Sequence, residues 1–291
     1  MSKHPILRPA VAVLAFAVLA GATFARAEDK KLGWADTAEL SYVLTAGNSQ
    51  TTTLGFKDTL IRTWADALFT LKAGGIRSKA TTPRWSAVAP DPNDLTIFEI
   101  VDGASEVSAE NYYFSAAYDR NVSKAFYWHV GAGWDRNQFA GIDNRYVGEA
   151  GVGNVWKDTD HLRFRTTYSA TYTAQKETVD NPALKNNFIG ARLISDYLQK
   201  LGANTTYVNT LVLDENLDET KDWRADMINS VAVSMSRNLA LKASLQWLYD
   251  NTPSFKEVDL LLSDGSSTGL KVPVELKKLD TIFTTSLVVN F

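Results

Sequence analysis

Cysteine is absent from all 291 residues. That rules out a disulfide framework, a thiolate nucleophile, a cysteine metal site and the lipid-bearing cysteine of a lipoprotein. Histidine is nearly absent: of three, His4 lies in the amino-terminal segment, which leaves His129 and His161. After the first 22 residues no stretch supplies 18 uncharged apolar residues, so the remainder offers no spanning helix. No basic block occurs that would suggest nucleic acid, and no Pro/Gly/Ser linker divides the chain.

What is present begins with Lys3, His4 and Arg8, an apolar run from Ala10 to Ala22, and Ala25-Arg26-Ala27 ahead of Glu28-Asp29-Lys30-Lys31. Charged, apolar and small-residue regions in that order describe a secretory signal peptide, residues 1–27, cleaved after Ala27. The apolar run is shorter than the roughly 20 residues of a spanning helix. Removing Lys3, Arg8 and Arg26 leaves 27 basic against 33 acidic residues, a formal charge of −6. Residues 28–291 are then a single exported domain, whose stability must come from strand pairing and burial.

The end of the chain shows what that domain is made of. From Leu279 the odd positions are Leu, Thr, Phe, Thr, Leu, Val and Phe, while the even ones are Asp280, Ile282, Thr284, Ser286, Val288 and Asn290. Period-two alternation of this length is a strand with one apolar and one largely polar face. Soluble strands usually run roughly 5–6 residues, whereas tilted strands crossing an outer membrane need about 9–11. Phe291 stands where outer-membrane barrels carry the aromatic residue by which they are recognised for insertion, and is the expected assembly signal.

From Trp34 onward the same unit recurs, a stretch of alternating polarity and then a break, about twelve times, an even number as in bacterial barrels. Short breaks fall at 64–66, 121–124, 157–160, 199–202 and 237–238, and most breaks of the other parity are longer. A soluble sandwich has no reason to segregate loop lengths by parity. The expected fold is therefore all-β: a transmembrane antiparallel up-and-down β-barrel of about 12 strands, with short periplasmic turns and longer extracellular loops. Residues 80–105 and 252–274 are the two longest breaks; the first suggests a hairpin turning at Asp102-Gly103, and the second a hairpin turning near Asp264-Gly265. Aromatic residues group at strand ends, Trp64, Phe126, Trp128, Trp156, Tyr197 and Phe291 at one side and Tyr112, Trp134, Tyr172, Trp223, Trp247 and Tyr249 at the other. Two interfacial girdles are expected of such a barrel.

The stretch Ala38 to Thr53, AELSYVLTAGNSQTTT, has an alternating strand, a Gly47-Asn48-Ser49 turn and a Thr-rich return. It resembles the opening hairpin of a family described as salt-induced outer-membrane proteins, a domain of unknown function. That resemblance implies an outer-membrane location and a barrel fold. It implies no catalytic or binding residues.

Placing the apolar faces in lipid points the polar faces inward. The candidate lumen-lining residues are Asp135, Arg145, Glu149, Arg163, Arg165, Arg224, Asp226 and Lys242, within a wider set that includes Glu39, Lys72, Asp119, His129, Arg192, Asp196, Asp250 and Asp280. About eight strands give a filled interior and 16–18 an aqueous channel, so about twelve leaves either a salt-bridged plug or a narrow pore. His129 falls near the periplasmic end and His161 beside a turn, neither placed for a Ser–His pair near the outer leaflet. No catalytic, cofactor or metal residues are expected. The functional expectation is a non-enzymatic envelope barrel, with a narrow small-solute or ion channel as its specific form. An outer-membrane lipid or peptide hydrolase, or a surface-adhesion barrel, is the alternative. Expected partners are outer-membrane lipid, the barrel-assembly machinery through the C-terminal strand, and small ions or solutes.

Overall fold

The computed structural model describes residues 32–46, 51–78, 82–89, 96, 98–106, 109–138, 140–179, 181 and 185–291 of the chain. The signal peptide expected over residues 1–27 and the turn at 47–50 lie outside them. In chain order the strands are β1 (Gly33–Ala46), β2 (Thr51–Thr63), β3 (Ala67–Ser78), β4 (Thr82–Ala89), β5 (Glu99–Glu106), β6 (Ala109–Asn121), β7 (Phe126–Asn137) and β8 (Ile142–Asp158). They continue as β9 (Leu162–Glu177), β10 (Asn187–Lys200), β11 (Thr205–Asn216), β12 (Trp223–Ser234), β13 (Leu239–Asp250), β14 (Phe255–Leu262), β15 (Ser267–Glu275) and β16 (Leu279–Asn290).

Twelve of these close a barrel in the order β1-β16-β13-β12-β11-β10-β9-β8-β7-β6-β3-β2, every neighbouring pair antiparallel. First and last strands meet over ten residue pairs, from Thr37↔Asn290 to Ala46↔Thr281. Closure leaves no barrel edge, which is what a sheet surrounded by hydrocarbon requires. The alternation read in the terminal strand holds: Leu279, Phe283 and Leu287 are exposed, while Asp280, Ile282, Ser286 and Val288 are buried. In β9, Arg163, Arg165, Thr167, Ser169, Thr171 and Thr173 share the inward face, and Tyr168, Ala170 and Tyr172 are exposed.

At one end of the barrel the connections 64–66, 122–125, 159–161, 201–204 and 235–238 are all tight; this is the turn end. At the opposite, loop end lie the two longest connections, between β3 and β6 and between β13 and β16. Two other loop-end connections, 47–50 and 138–141, are as short as the turns.

An aromatic chain circles part of the turn end. Trp64, Tyr118 and Trp128 follow one another at centroid spacings of 6.2 and 5.6 Å, and Trp156, Phe164, Tyr197 and Tyr207 at 6.5, 6.3 and 6.1 Å. Arg62 lies over both Trp34 and Trp64, at 5.3 and 5.5 Å. The loop end carries Trp223 stacked on Tyr249 at 4.8 Å, with Tyr146 and Tyr172 exposed. These are the two girdles of a membrane barrel.

The remaining strands form a second sheet at the loop end, in the order β15-β14-β4-β5. Its β14–β15 hairpin turns at Asp264-Gly265, where Gly265 has φ +84°, a left-handed conformation that glycine adopts without strain. The Ser266 hydroxyl and backbone N–H both donate to Asp264 Oδ1, at 2.6 and 2.8 Å, and hold that carboxyl below its usual value. β14 pairs in parallel with β4, joining the two loops, over a core of Ala87, Ala89, Val258 and Leu260 against which Phe98, Val272 and Val274 pack.

One expectation needs correction. Asp102-Gly103 is not a turn: it lies inside β5, and the register slips where Pro83 and Arg84 of β4 pair with Ser105 and Gly103. Proline cannot donate to the ladder, so the strand accommodates it with a bulge, and the dipeptide marks the bulge rather than the reversal. Residues 142–144 belong to β8, where a register shift between Ile142 and Asn144 interrupts the period-two pattern. In β11, Thr210 and Val212 point inward and Leu213 outward.

Candidate functional site: a charged lumen

A cavity of about 1530 Å³ runs inside the barrel. It is lined at the turn end by Asp158, Asn204 and Ser236 and at the loop end by Asp250, Pro253 and Lys278. One space is thus bounded by both ends of the barrel. Inward strand positions supply its wall, so its chemistry is set by the polar half of each alternation.

The widest interaction crosses six adjacent strands, β6 to β11. Arg165 donates to Asp119 at 2.6 Å, Asp119 meets His129 Nδ1 at 2.5 Å, and His129 Nε2 lies 3.6 Å from Glu149. Glu149 in turn accepts from Arg192 at 3.3 Å, and Arg192 forks onto Asp214 at 2.6 and 3.1 Å. Bidentate arginine–carboxylate geometry fixes orientation as well as charge. With a carboxylate facing each ring nitrogen, His129 acts as a bridge between two acids rather than as the base of a Ser–His pair. His161 is exposed at the 159–161 turn.

Other pairs complete the wall. Lys242 donates to both oxygens of Glu39 at 3.0 Å, reaching across β16, and Lys57 lies 3.9 Å from the same carboxylate. Asp135 accepts a fork from Arg145 at 2.9 and 3.1 Å. Asp226 accepts from the Gln246 amide at 2.7 Å, and Arg224 lies 3.7 Å from Asp222 and 5.6 Å from the Phe188 ring. Arg163 pairs at 3.1 Å with Asp158 at the turn end, where the acid is half exposed.

Of the candidate lumen residues, Asp135, Arg145, Glu149, Arg163, Arg165, Arg224 and Asp226 line the cavity, and Lys242, half-buried, is paired with Glu39. The structure separates them into groups rather than one site. Arg163 and Arg165, adjacent on one face of β9, serve different acids. Charges outside the expected set include Lys57, which faces Glu39, and Asp214, which lines the cavity. Asp214 shares the parity of Thr206 and Thr210, a signal obscured by the valines on the same face of β11.

Against this geometry, comparison with known proteins gives two results. A family model described as "Protein of unknown function, DUF481" matches residues 38–265, from within β1 to the β14–β15 turn. The chain belongs to the DUF481 family. The match runs through the 80–105 loop, which the hairpin resemblance did not account for. The family description does not speak of salt induction. Among solved structures, the NanC porin aligns with this DUF481 protein at TM-score 0.50 and 8% identity, covering 87% of this chain and 98% of the porin. The KdgM porin, solved in complex with disordered oligogalacturonate, aligns at TM-score 0.44 and 7% identity, covering 88% and 99%. An anion-selective porin from Comamonas acidovorans aligns at TM-score 0.35 and 10% identity, covering 89% and 98%. At such identities the NanC likeness establishes the barrel fold alone. No curated protein matches the chain significantly.

Proposed function

We propose that this DUF481 protein is a narrow, charged pore of the bacterial outer membrane, passing small ions or solutes. The observation that carries the reading is the cavity lined from both ends, 1530 Å³ within twelve strands. Its ion-paired walls narrow the passage while leaving charged groups along it, the arrangement by which pores discriminate among solutes. The turn end faces the periplasm and the loop end the exterior, as in outer-membrane barrels generally. Cleavage after Ala27, an envelope role connected with salt, and a non-enzymatic activity belong to the same reading.

Reconstitution tests it. In planar bilayers the refolded protein is expected to give discrete current steps, and Arg163→Gln/Arg165→Gln is expected to shift reversal potentials in a KCl gradient toward cation preference. That variant leaves Asp158 and Asp119 with less positive charge beside them. No steps over many insertions would remove the pore reading, and lipid or peptide hydrolysis by the purified barrel would replace it.

Location and assembly are tested separately. The mature protein is expected in the outer-membrane fraction, starting at Glu28 and migrating differently on gels before and after boiling. Phe291 follows β16, its N–H and C=O bonded to Asp36 across the β1–β16 seam at 2.9 and 3.4 Å, its ring exposed. Deleting it is expected to lower the folded membrane yield more than truncating the 263–266 hairpin tip; equal yields would contradict a role for Phe291 in recognition by the assembly machinery.

A further inference from the structure

The acids of the lumen differ in how they are matched. In the periplasmic half Glu39 has Lys242 and Lys57 and Asp119 has Arg165, while Asp196 accepts from the Thr210 hydroxyl at 3.2 Å. In the outer half Asp214 and Asp135 are matched by Arg192 and Arg145, but three further carboxylates line the cavity, Asp226, Asp250 and Asp280. Asp226 is 8% exposed; an amide serves one of its oxygens, and Oδ2 accepts no hydrogen bond. Asp280 is also 8% exposed, faces Asp250 and Lys277, and its Oδ1 accepts none. Asp250 accepts from the Thr252 N–H at 2.9 Å and shares Arg224 with Asp222. Asp226 and Asp280 thus each keep a buried oxygen without a hydrogen-bond partner, which is costly.

We propose that the outer half of the lumen is a binding site for linear organic polycations of the polyamine class, held by Asp226, Asp250 and Asp280. Among the described residues no three acidic or histidine side chains converge closely enough for a metal ion. The carboxylates are spread instead. Asp226 lies opposite Leu248, two residues short of Asp250 on β13, which at about 3.3 Å rise separates them by about 7 Å along the strands. Spaced ammonium groups meet such carboxylates one at a time. The methylenes between them find Val212, Leu248 and Phe188, apolar side chains of the same lining. The inference deepens the pore reading by naming the class of solute, and rests on that reading only for passage, not for binding.

Spermine is the probe. Calorimetric titration of the refolded full-length barrel in detergent at low salt is expected to show saturable binding, weakening as ionic strength rises through about 0.3 M, where screening is short-ranged. Asp226→Asn/Asp250→Asn/Asp280→Asn, verified as folded by gel mobility, is expected to bind about tenfold more weakly, three neutralised charges acting through a partly wet lumen. Should the triple variant not fold, Asp250→Asn and Asp280→Asn singly are expected to weaken binding about threefold each, while Asp196→Asn in the periplasmic half leaves it unchanged. No binding by the folded native barrel, or equal binding by native and variant proteins, overturns the site. Bilayer recordings fail independently: binding without current steps removes passage and keeps the site, and steps without binding remove the site and keep the pore.

Discussion

Gly153→Val is expected to abolish the folded, gel-shifting barrel. A Cβ at position 153 would stand 2.6 Å from Cε1 of Tyr127 and closer still to its Cζ and hydroxyl, inside any permitted contact. Tyr127 cannot yield. It is 1% exposed, its hydroxyl lies 2.6 Å from the Thr167 hydroxyl and donates to the Thr166 carbonyl at 3.2 Å, and Arg165 sits 4.5 Å over its ring. Overpacking costs about 1–3 kcal/mol and an orphaned buried hydroxyl about 1–3 kcal/mol more, and the displaced ring would also disturb Arg165. Gly148→Val is the control. Gly148 lies on the same strand and faces outward, a Cβ there would meet nothing within 4 Å, and the variant is expected to fold normally. Unboiled gel mobility and urea midpoints in detergent read both; normal folding of Gly153→Val would refute the tyrosine-over-glycine packing.

Arg192→Met should cost about 3–5 kcal/mol of stability, because it takes the forked partner from Asp214 and leaves Glu149 with His129 alone inside the wall, and breaking a buried pair leaves an uncompensated charge. Arg163→Met is expected to cost less than about 1 kcal/mol, since its partner Asp158 is half exposed at a turn. The informative quantity is the difference between the two urea midpoints. Equal midpoints would mean that the lumen is wet enough for its ion pairs to behave as surface pairs.

Strand number and facing were legible in the sequence because a barrel repeats one rule, apolar outside and polar inside, with period two. The last strand shows it cleanly: Leu279, Phe283 and Leu287 outside, Asp280 and Ser286 inside. The rule says nothing about identity within a face. Ile282 and Val288 face inward too, closing the wall against neighbours that a single strand does not reveal. It also fails at each bulge, where one extra residue reverses parity, as at the start of β8. Lumen charges could be nominated one at a time, yet their partners could not. Arg165 meets Asp119 from three strands away, across the curvature of the closed wall, at a separation of 46 residues. The loop-end sheet was hidden for a related reason: residues 82–89 and 255–262 read separately as breaks, and only closure brings them side by side.

That sheet also has a mechanical consequence. A barrel closed by its first and last strands is weakest to lateral parting at the β1–β16 seam, where no turn holds the two strands together. The loop that carries β4 leaves the wall on one side of the seam, from β3, and the loop that carries β14 returns to it on the other, into β16. Their parallel pairing, Asp259↔Ser86 to Leu262↔Ala89, therefore spans the seam from above like a clasp. Unzipping the wall from its outer end must first pull this pairing apart, so the clasp makes the seam hardest to open at the loop end and leaves Asp36 and Phe291, at the other end, as the place where opening can begin.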